Sequence, residues 1–331
     1  MLNVQLYDEQ YRDLWDQFVM ERAVNGTFLQ TRRFLSYHPK GRFTEASYLI
    51  FDDKMHLVAV CPGCIKEEDG ERLFDSHAGT TYGGIIIEKK WYKACKVIEI
   101  IQALESCLKN SGFDKVILKQ TPSILSVETV DLLQYSFYYL GYQCCSALSL
   151  YVDFDDYKED ILSEFSQGKR TDVHNCLKKG LYDRKLNTFA EIQQLYMLLA
   201  KNLEKYNAKP IHTAEELFDF QEVRLKDECD CFGVFDGEKM VAASMLFYFK
   251  KNSVAHTQYL CADAEYKQLS PMTYLYYTTL VRMKEQGYRK VSWGTVTENL
   301  GSYLNEGLVK SKEYYGSKHN INPIFIKNLS K

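Results

Sequence analysis

Lys169 and Arg170 stand side by side and head a basic run that continues through His174, Lys178, Lys179, Arg184 and Lys185. Two cations within one turn can pair with a diphosphate, so the run offers contacts to the phosphates of a ligand. The plain alternative is a solvated helix face. A second cluster, Ser76-His77-Ala78-Gly79-Thr80-Thr81-Tyr82-Gly83-Gly84, joins hydroxyls and an imidazole to glycines that permit close approach of a ligand. His77 and Tyr82 are its binding candidates, against a tight structural turn. Farther along, Asp263 could accept a proton from an amine, or cap the helix that follows it. Tyr259 and Tyr274 could hydrogen-bond a carbonyl or a leaving group, or pack in a core. Trp293, Thr295 and Asn299 lie at the end of a strand pattern, where ligands sit in open α/β sheets. Lys310 and Lys312 either reach that place or decorate a helix. Cations, a carboxylate and phenols are the types that hold phosphates, take up a proton and hydrogen-bond a carbonyl. No Ser–His–Asp or Cys–His arrangement emerges, so direct attack is simpler than a covalent acyl-enzyme.

The element that must position these groups runs from Ser253 to Gly294. Residues 254–260 alternate and are rich in β-branched and aromatic types, which predicts a strand. A polar loop, Asp263 to Ser270, leads to Pro271 at the first turn of a helix, where its missing N–H costs nothing. Met272, Leu275, Tyr276, Thr279, Leu280 and Met283 repeat at helical spacing, Gly287 ends the helix, and Arg289–Trp293 returns as a strand. Strand, loop, helix and strand make a βαβ crossover, right-handed by the usual rule, with a helix N-terminus above the strands.

The first half carries the same order. Ser47–Phe51 and Lys54–Cys61 read as a strand pair around Asp52-Asp53, as Cys231–Phe235 and Lys239–Phe249 do around Asp236-Gly237. The unit Cys95–Leu118 mirrors Met272–Trp293, down to Gly-Phe-Asp-Lys-Val-Ile against Gly-Tyr-Arg-Lys-Val-Ser. Internal duplication of a mixed α/β unit follows. The segment 8–38 begins helical and then loops, and Tyr157–Lys185 reads as a helical segment with one apolar and one basic face. Thr295–Tyr315 is helical in places, and Asn322–Asn328 reads as a closing strand. The expected domains are 1–155, a basic helical linker at 156–186, and 187–331.

Composition bounds the rest. The 331 residues suit about two domains, and 46% hydrophobic with 26% charged residues is ordinary for a globular protein. A net charge of −3 means no global basic field and no compositional case for a nucleic-acid packaging role, though a local basic patch can still matter. The 25 tyrosines suit a cleft for a polar ligand. No apolar leader is visible and no run is long enough to span a bilayer; with ten cysteines, this points to reduced thiols and a cytoplasmic location. Cys61-Pro-Gly-Cys64 has zinc-ligand spacing, but it ends an apolar strand, and a turn with small buried thiols is the preferred reading.

Two tandem units, each a hairpin followed by strand, helix, glycine and strand, resemble duplicated GNAT acyltransferase domains. With their basic linker they are similar to the FemABX family, aminoacyl-tRNA-dependent transferases that build peptide bridges on cell-wall precursors, and to FemAB-like proteins of polysaccharide clusters. The residues that carry the resemblance are Ser76-His77 with Thr81-Tyr82-Gly83-Gly84, the linker Gly168-Lys169-Arg170 with Lys178-Lys179-Gly180, and Gly307-Leu308-Val309-Lys310-Ser311-Lys312-Glu313-Tyr314-Tyr315-Gly316. The last echoes the family's G-L-x-x-F-K-x-x-F-G, with Ser311 and Tyr315 where phenylalanines are usual. The resemblance implies an α/β (α+β) fold of two GNAT-like domains, each a mixed, mainly antiparallel sheet flanked by helices, and an acyl- or aminoacyltransferase acting on a UDP-type acceptor or another small amine. A CoA-using GNAT domain carries Q/R-x-x-G-x-G/A before its helix; here Tyr266-Lys267-Gln268-Leu269-Ser270-Pro271 has no glycine. That departure favours aminoacyl-tRNA over acyl-CoA as the acyl donor, and no further cofactor is implied. A CoA-dependent N-acyltransferase with an atypical loop and a non-catalytic GNAT-like binding protein remain as alternatives.

Overall fold

Runs of β-branched and aromatic residues become strands in both halves of the chain, and which neighbours they find decides the sheet. The computed structural model describes residues 2–39, 41–76, 78–158, 160–204 and 207–329. Contacts divide the chain into a first unit, Met1–Leu148 with Thr297–Leu304 and Asn320–Lys331, and a second, Ser149–Val296 with Asn305–His319. Both are mixed α/β with mainly antiparallel strands.

In the first unit Tyr48–Phe51 lies antiparallel to both Asn3–Leu6 and Leu57–Cys61, and Ile86-Ile87 completes that sheet. Every residue of Tyr48–Phe51 and Leu57–Cys61 is buried, which is why both read as unbroken apolar runs. Strand β1 (Glu71–Asp75) pairs antiparallel with Cys64–Glu68 and parallel with β2 (Lys115–Lys119). Helix α1 (Ala94–Asn110) makes the crossover, burying Val97, Ile100, Ile101, Leu104 and Leu108 at three- and four-residue spacing. Gly112 takes φ +75° and the Phe113 N–H returns to the Leu108 carbonyl at 3.1 Å, a left-handed helix end. Beyond it β2 pairs antiparallel with Ile324–Asn328.

In the second unit α2 (Gln167–Lys178) precedes the edge strand Tyr182–Lys185, and α3 (Phe189–Glu204) lies in the chain between that strand and the rest of the sheet. Tyr182–Lys185, Cys229–Asp236, β3 (Lys239–Phe249) and β4 (Val254–Ala262) follow one another antiparallel. Helix α4 (Pro271–Glu285) then crosses over to β5 (Lys290–Thr295), parallel to β4 and antiparallel to Ser149–Asp153. The helix end repeats that of the first unit: Gly287 at φ +80°, with the Tyr288 N–H on the Met283 carbonyl at 3.0 Å. A last helix, α5 (Glu306–Glu313), leads into the strand Lys318–Asn328, longer than the expected Asn322–Asn328.

Two helical expectations narrow. Within 157–185 only α2 is α-helical, because Gly180 at φ +77° ends the helix and Tyr182–Lys185 leaves as an edge strand. Within 8–38 the apolar face divides among Arg12–Gln17, a π-turn at Phe18–Arg22 and Arg32–Leu35. Thr27 and Thr31 each cap a new start there, and a hydroxyl that satisfies N–H groups makes a restart cheap.

Candidate active site

Strand β4 is nine residues long, but only Val254–His256 pairs with β5. Beyond His256 the two parallel strands part, and each exposes backbone polar groups along the edge facing the gap. Antiparallel pairing alternates, so the Asp263 N–H on the Val241 carbonyl (2.8 Å) and the Ala262–Ala242 register fix the parity. Ala262 and Leu260 turn their N–H and C=O away from β3, toward the splay. Ala262 is satisfied by the Asn202 side chain of α3, which donates Nδ2–H to its carbonyl (2.8 Å) and accepts its N–H on Oδ1 (3.3 Å).

The β5 side is held by Lys312. Its side chain is 4% exposed and its ammonium donates to the backbone carbonyls of Trp293 (2.6 Å) and Thr295 (3.4 Å). It has no acidic partner among the described residues, and burial lowers it to about 8 from the usual lysine value of 10.5. A register shift between Ser292 and Gly294, with Gly294 at φ +76°, distorts β5 at this point. Ser317 ties the arrangement together: its hydroxyl accepts from the Trp293 indole N–H (3.0 Å) and donates to the Lys312 carbonyl (2.7 Å). Tyr276 of α4 meets Trp293 edge-on and stacks on Tyr315 at 4.3 Å, so α5 is pinned over the strand end by aromatic contacts.

His256 occupies the last β4–β5 rung, with Nδ1 3.0 Å from the Ser292 hydroxyl. Burial, and then the positive charge of Lys312, holds the imidazole down at about 4, so it is neutral at pH 7.

At the N-terminus of α4 lies a cleft of about 460 Å³ lined by Lys169, Asn202, Asp263, Lys267 and Thr273 among others. Lys169 reaches it from α2 and donates to the Thr273 hydroxyl (3.0 Å) and the Asp172 carboxylate (3.2 Å). The first turn of α4 is poor in free donors. Pro271 has no N–H, and those of Thr273 and Tyr274 both turn back to the Ser270 carbonyl at 3.0 and 3.3 Å. Met272 keeps the one free N–H of that turn among the described residues. Ser270 itself adopts φ +51°, a left-handed conformation that glycine would take without strain.

The other sequence candidates scatter. Asp263 is buried and caps the turn after β4 by accepting the Glu265 N–H (3.2 Å), with Lys201 at 3.4 Å and Lys239 at 3.8 Å. Burial would raise its carboxyl, but the Glu265 N–H and the lysines hold it below the ordinary range, which makes it a weak base. The Tyr259 phenol bonds to His212 and is pushed up to about 12 by burial. Tyr274 packs into a core with Cys176, Val234 and Leu275, and burial raises it too. Arg170 donates to Gln167 on its own helix, and Thr295 is exposed. Trp293 is buried, and Lys310 is exposed and paired with Glu306 at 3.2 Å. Asn299 falls in the first unit, beside Leu300; both have positive φ, and both line a separate recess of about 660 Å³. Tyr82, also in the first unit, is buried and raised by that burial despite a hydrogen bond with Asn322. His77 lies outside the described residues. Cys61 and Cys64 are buried, and burial pushes both thiols up, Cys64 to about 11.

The structure thus brings together Lys312, His256, Trp293 and the carbonyl of Thr295 at the strand end, and Lys169, Asn202 and Asp263 at the cleft. The sequence does not single out His256 or Asn202, and it does not separate Lys312 from Lys310. One signal was available: within Gly307–Gly316, Lys312 stands where the echoed motif has its lysine.

Comparisons with known proteins agree with this fold. Residues 170–303 match the acetyltransferase (GNAT) domain family. By structure the chain is similar to FemX (TM-score 0.68, 11% identity, 98% of this chain and 96% of that one). It is similar also to L-PGS from Bacillus licheniformis (0.56, 12%, 85% and 83%) and to a tandem GNAT protein from the clavulanic acid biosynthesis pathway (0.58, 10%, 100% and 99%). No curated protein matches the sequence. At these identities the likeness is one of architecture, and the resemblance to the FemABX and GNAT superfamily holds at that level. Among the described residues no helix is long and apolar enough to cross a membrane.

Proposed function

We propose that this chain transfers an acyl or aminoacyl group from an activated ester to an amine, with the reacting carbonyl seated in the splay between β4 and β5. The observation that carries the reading is Lys312, an ammonium buried with no acidic partner among the described residues. Burying such a charge is costly, and a site that develops negative charge during reaction accounts for its retention. Attack of the amine forms the new C–N bond and moves an electron pair onto the carbonyl oxygen beside Lys312. Collapse breaks the ester C–O bond, and the proton shed by the amine ends on the leaving oxygen. Burial raises Cys176 to about 11 and Cys261 to about 12, so both thiols stay protonated at neutral pH, which favours direct attack over an acyl-cysteine.

The finer reading is an aminoacyl-tRNA donor and an amine on a UDP-linked cell-wall or polysaccharide precursor. The architecture shared with FemX and the cations at Lys169 and Arg170 support it. A UDP-linked, amine-bearing acceptor is expected to raise the melting temperature of the full chain by mass action on the folded state. A rise with acetyl-CoA and none with any UDP-linked acceptor would favour the second reading, a CoA-dependent N-acyltransferase, to which the GNAT domain match points. Neither shift, with no turnover of any activated ester, would leave a binding protein. In an acyl-transfer assay, Lys312→Ala is the decisive variant: undiminished turnover would sink the reading.

A further inference from the structure

We infer that Asn202 is a specificity-determining residue: its carboxamide fills the last rung of the open β4 edge and so excludes acyl donors carried on a long, amide-bearing arm. The inference rests on the acyl-transfer reading and concerns which donor that site admits.

Leu260 and Ala262 present the backbone N–H and C=O groups of β4 that turn toward the splay. Those of Leu260 have no partner among the described residues, whereas those of Ala262 are both taken by Asn202, at 2.8 and 3.3 Å. Asn202 thereby makes the two-bond contact that a neighbouring strand, or a ligand lying as one, would make. The side chain is not loosely placed, since Nδ2 also donates to the Leu198 carbonyl (3.0 Å), one turn back on α3. Asn202 and Ala262 also line the cleft at the α4 N-terminus. They therefore stand between that cleft, the place for a donor's phosphates, and the free rung at Leu260.

A donor such as an acyl-CoA joins its diphosphate to its acyl carbon through an arm with two secondary amides. To reach from the cleft to the strand end at His256, that arm must follow β4 for about 20 Å. It would cross Ala262 with its own amides facing groups already satisfied, and buried amides without partners oppose binding. A donor whose acyl group sits directly on a ribose ester has no arm to lay there. Asn202 and the glycine-free first turn of α4 then act in the same direction.

Two probes on the full chain test this, acetyl-CoA and acetyl-pantetheine, the latter carrying the arm without the nucleotide. Wild type is expected to bind neither, while Asn202→Ala gains about tenfold or more in affinity for acetyl-pantetheine by ligand-observed NMR. Wild type binding the arm as tightly as the variant, or a folded variant with no gain, overturns the inference. Should the variant fail to fold, amide exchange in wild type decides: the Ala262 N–H is expected to exchange about tenfold or more slowly than that of Leu260, and equal rates overturn the proposal. An aminoacyl ester of adenosine separates the two readings. Turnover of that ester with no gain in Asn202→Ala removes only the role of Asn202; a gain in the variant with no turnover of any ester removes only the transfer reading.

Discussion

The two βαβ units share strand pairing, a glycine-ended helix and even the backbone bond that closes the helix, yet they treat the gap between their parallel strands in opposite ways. In the first unit the chain closes it. The Ser76 N–H extends the β1 edge to the Ile117 carbonyl (2.9 Å), the Ser76 hydroxyl accepts the Lys119 N–H (2.7 Å), and the Gly83 N–H reaches the Lys119 carbonyl (2.8 Å). In the second unit the segment after β4 coils into a short 3₁₀ helix, Ala264–Leu269, and never returns to β5. The gap is bounded instead by two side chains, Asn202 and Lys312. The connection after the first strand, more than the strands themselves, decides which unit keeps an opening between its parallel strands.

The sharpest way to break that contrast is to remove the cation from the open unit. Lys312→Ala is expected to lower turnover by roughly 10²–10³, the usual cost of losing one oxyanion donor. Circular dichroism should show the fold retained, so that the loss is read as chemistry.

Next comes the closed unit. A Cβ on Gly83 would sit 1.9 Å from the Ser76 carbonyl oxygen, a backbone atom that cannot step aside. Gly83→Ala should therefore cost about 3 kcal/mol, read from the urea midpoint at constant m-value. A neutral result would mean that the loop does not seal β1 to β2.

Acid should find the open unit through His256. Its folded value of about 4 lies below the unfolded 6.5, so the unfolded chain binds the proton more readily. The stability this group contributes is complete above pH 6.5 and is lost as pH falls toward 4, by up to about 3 kcal/mol. His256→Gln should flatten that slope in denaturant titrations across the window. Lys312 gives the matching slope in base: between about 8 and 10.5 the unfolded chain again holds more protons, so this contribution rises with pH. The difference between wild type and Lys312→Met isolates it from the tyrosines that ionise nearby.

The smallest effect is expected at Lys169. Its ammonium is partly exposed, so Lys169→Ala should change stability by about 1 kcal/mol or less. If the cleft holds a donor's phosphates, KM for that donor should rise by about tenfold while kcat changes little.

Much of this architecture was legible in the residues. The stretch from Val254 to Thr295 is strand, capped loop, proline-started helix, glycine stop and strand, because each of those signals acts on its near neighbours in the chain. The hairpins and the duplicated helix–glycine–strand units follow for the same reason. The site was less legible. Asp263 has the type and position of a base, but its ion pairs come from Lys201 and Lys239, whose proximity no local pattern announces. Tyr259 and Tyr274 carry reactive groups that burial raises and core packing occupies.

Sequence alone determined that the chain repeats a βαβ unit and where each helix starts and stops, since capping, periodicity and turn chemistry are local. It also held the basic run and the motif around Lys312. Tertiary structure decided that Lys310 meets water while Lys312, two residues on, is sealed against the carbonyls of β5. It likewise decided that a side chain from a distant helix finishes the β4 edge. Burial and desolvation depend on what packs over a residue, and in both cases the covering groups come from elements remote in the chain.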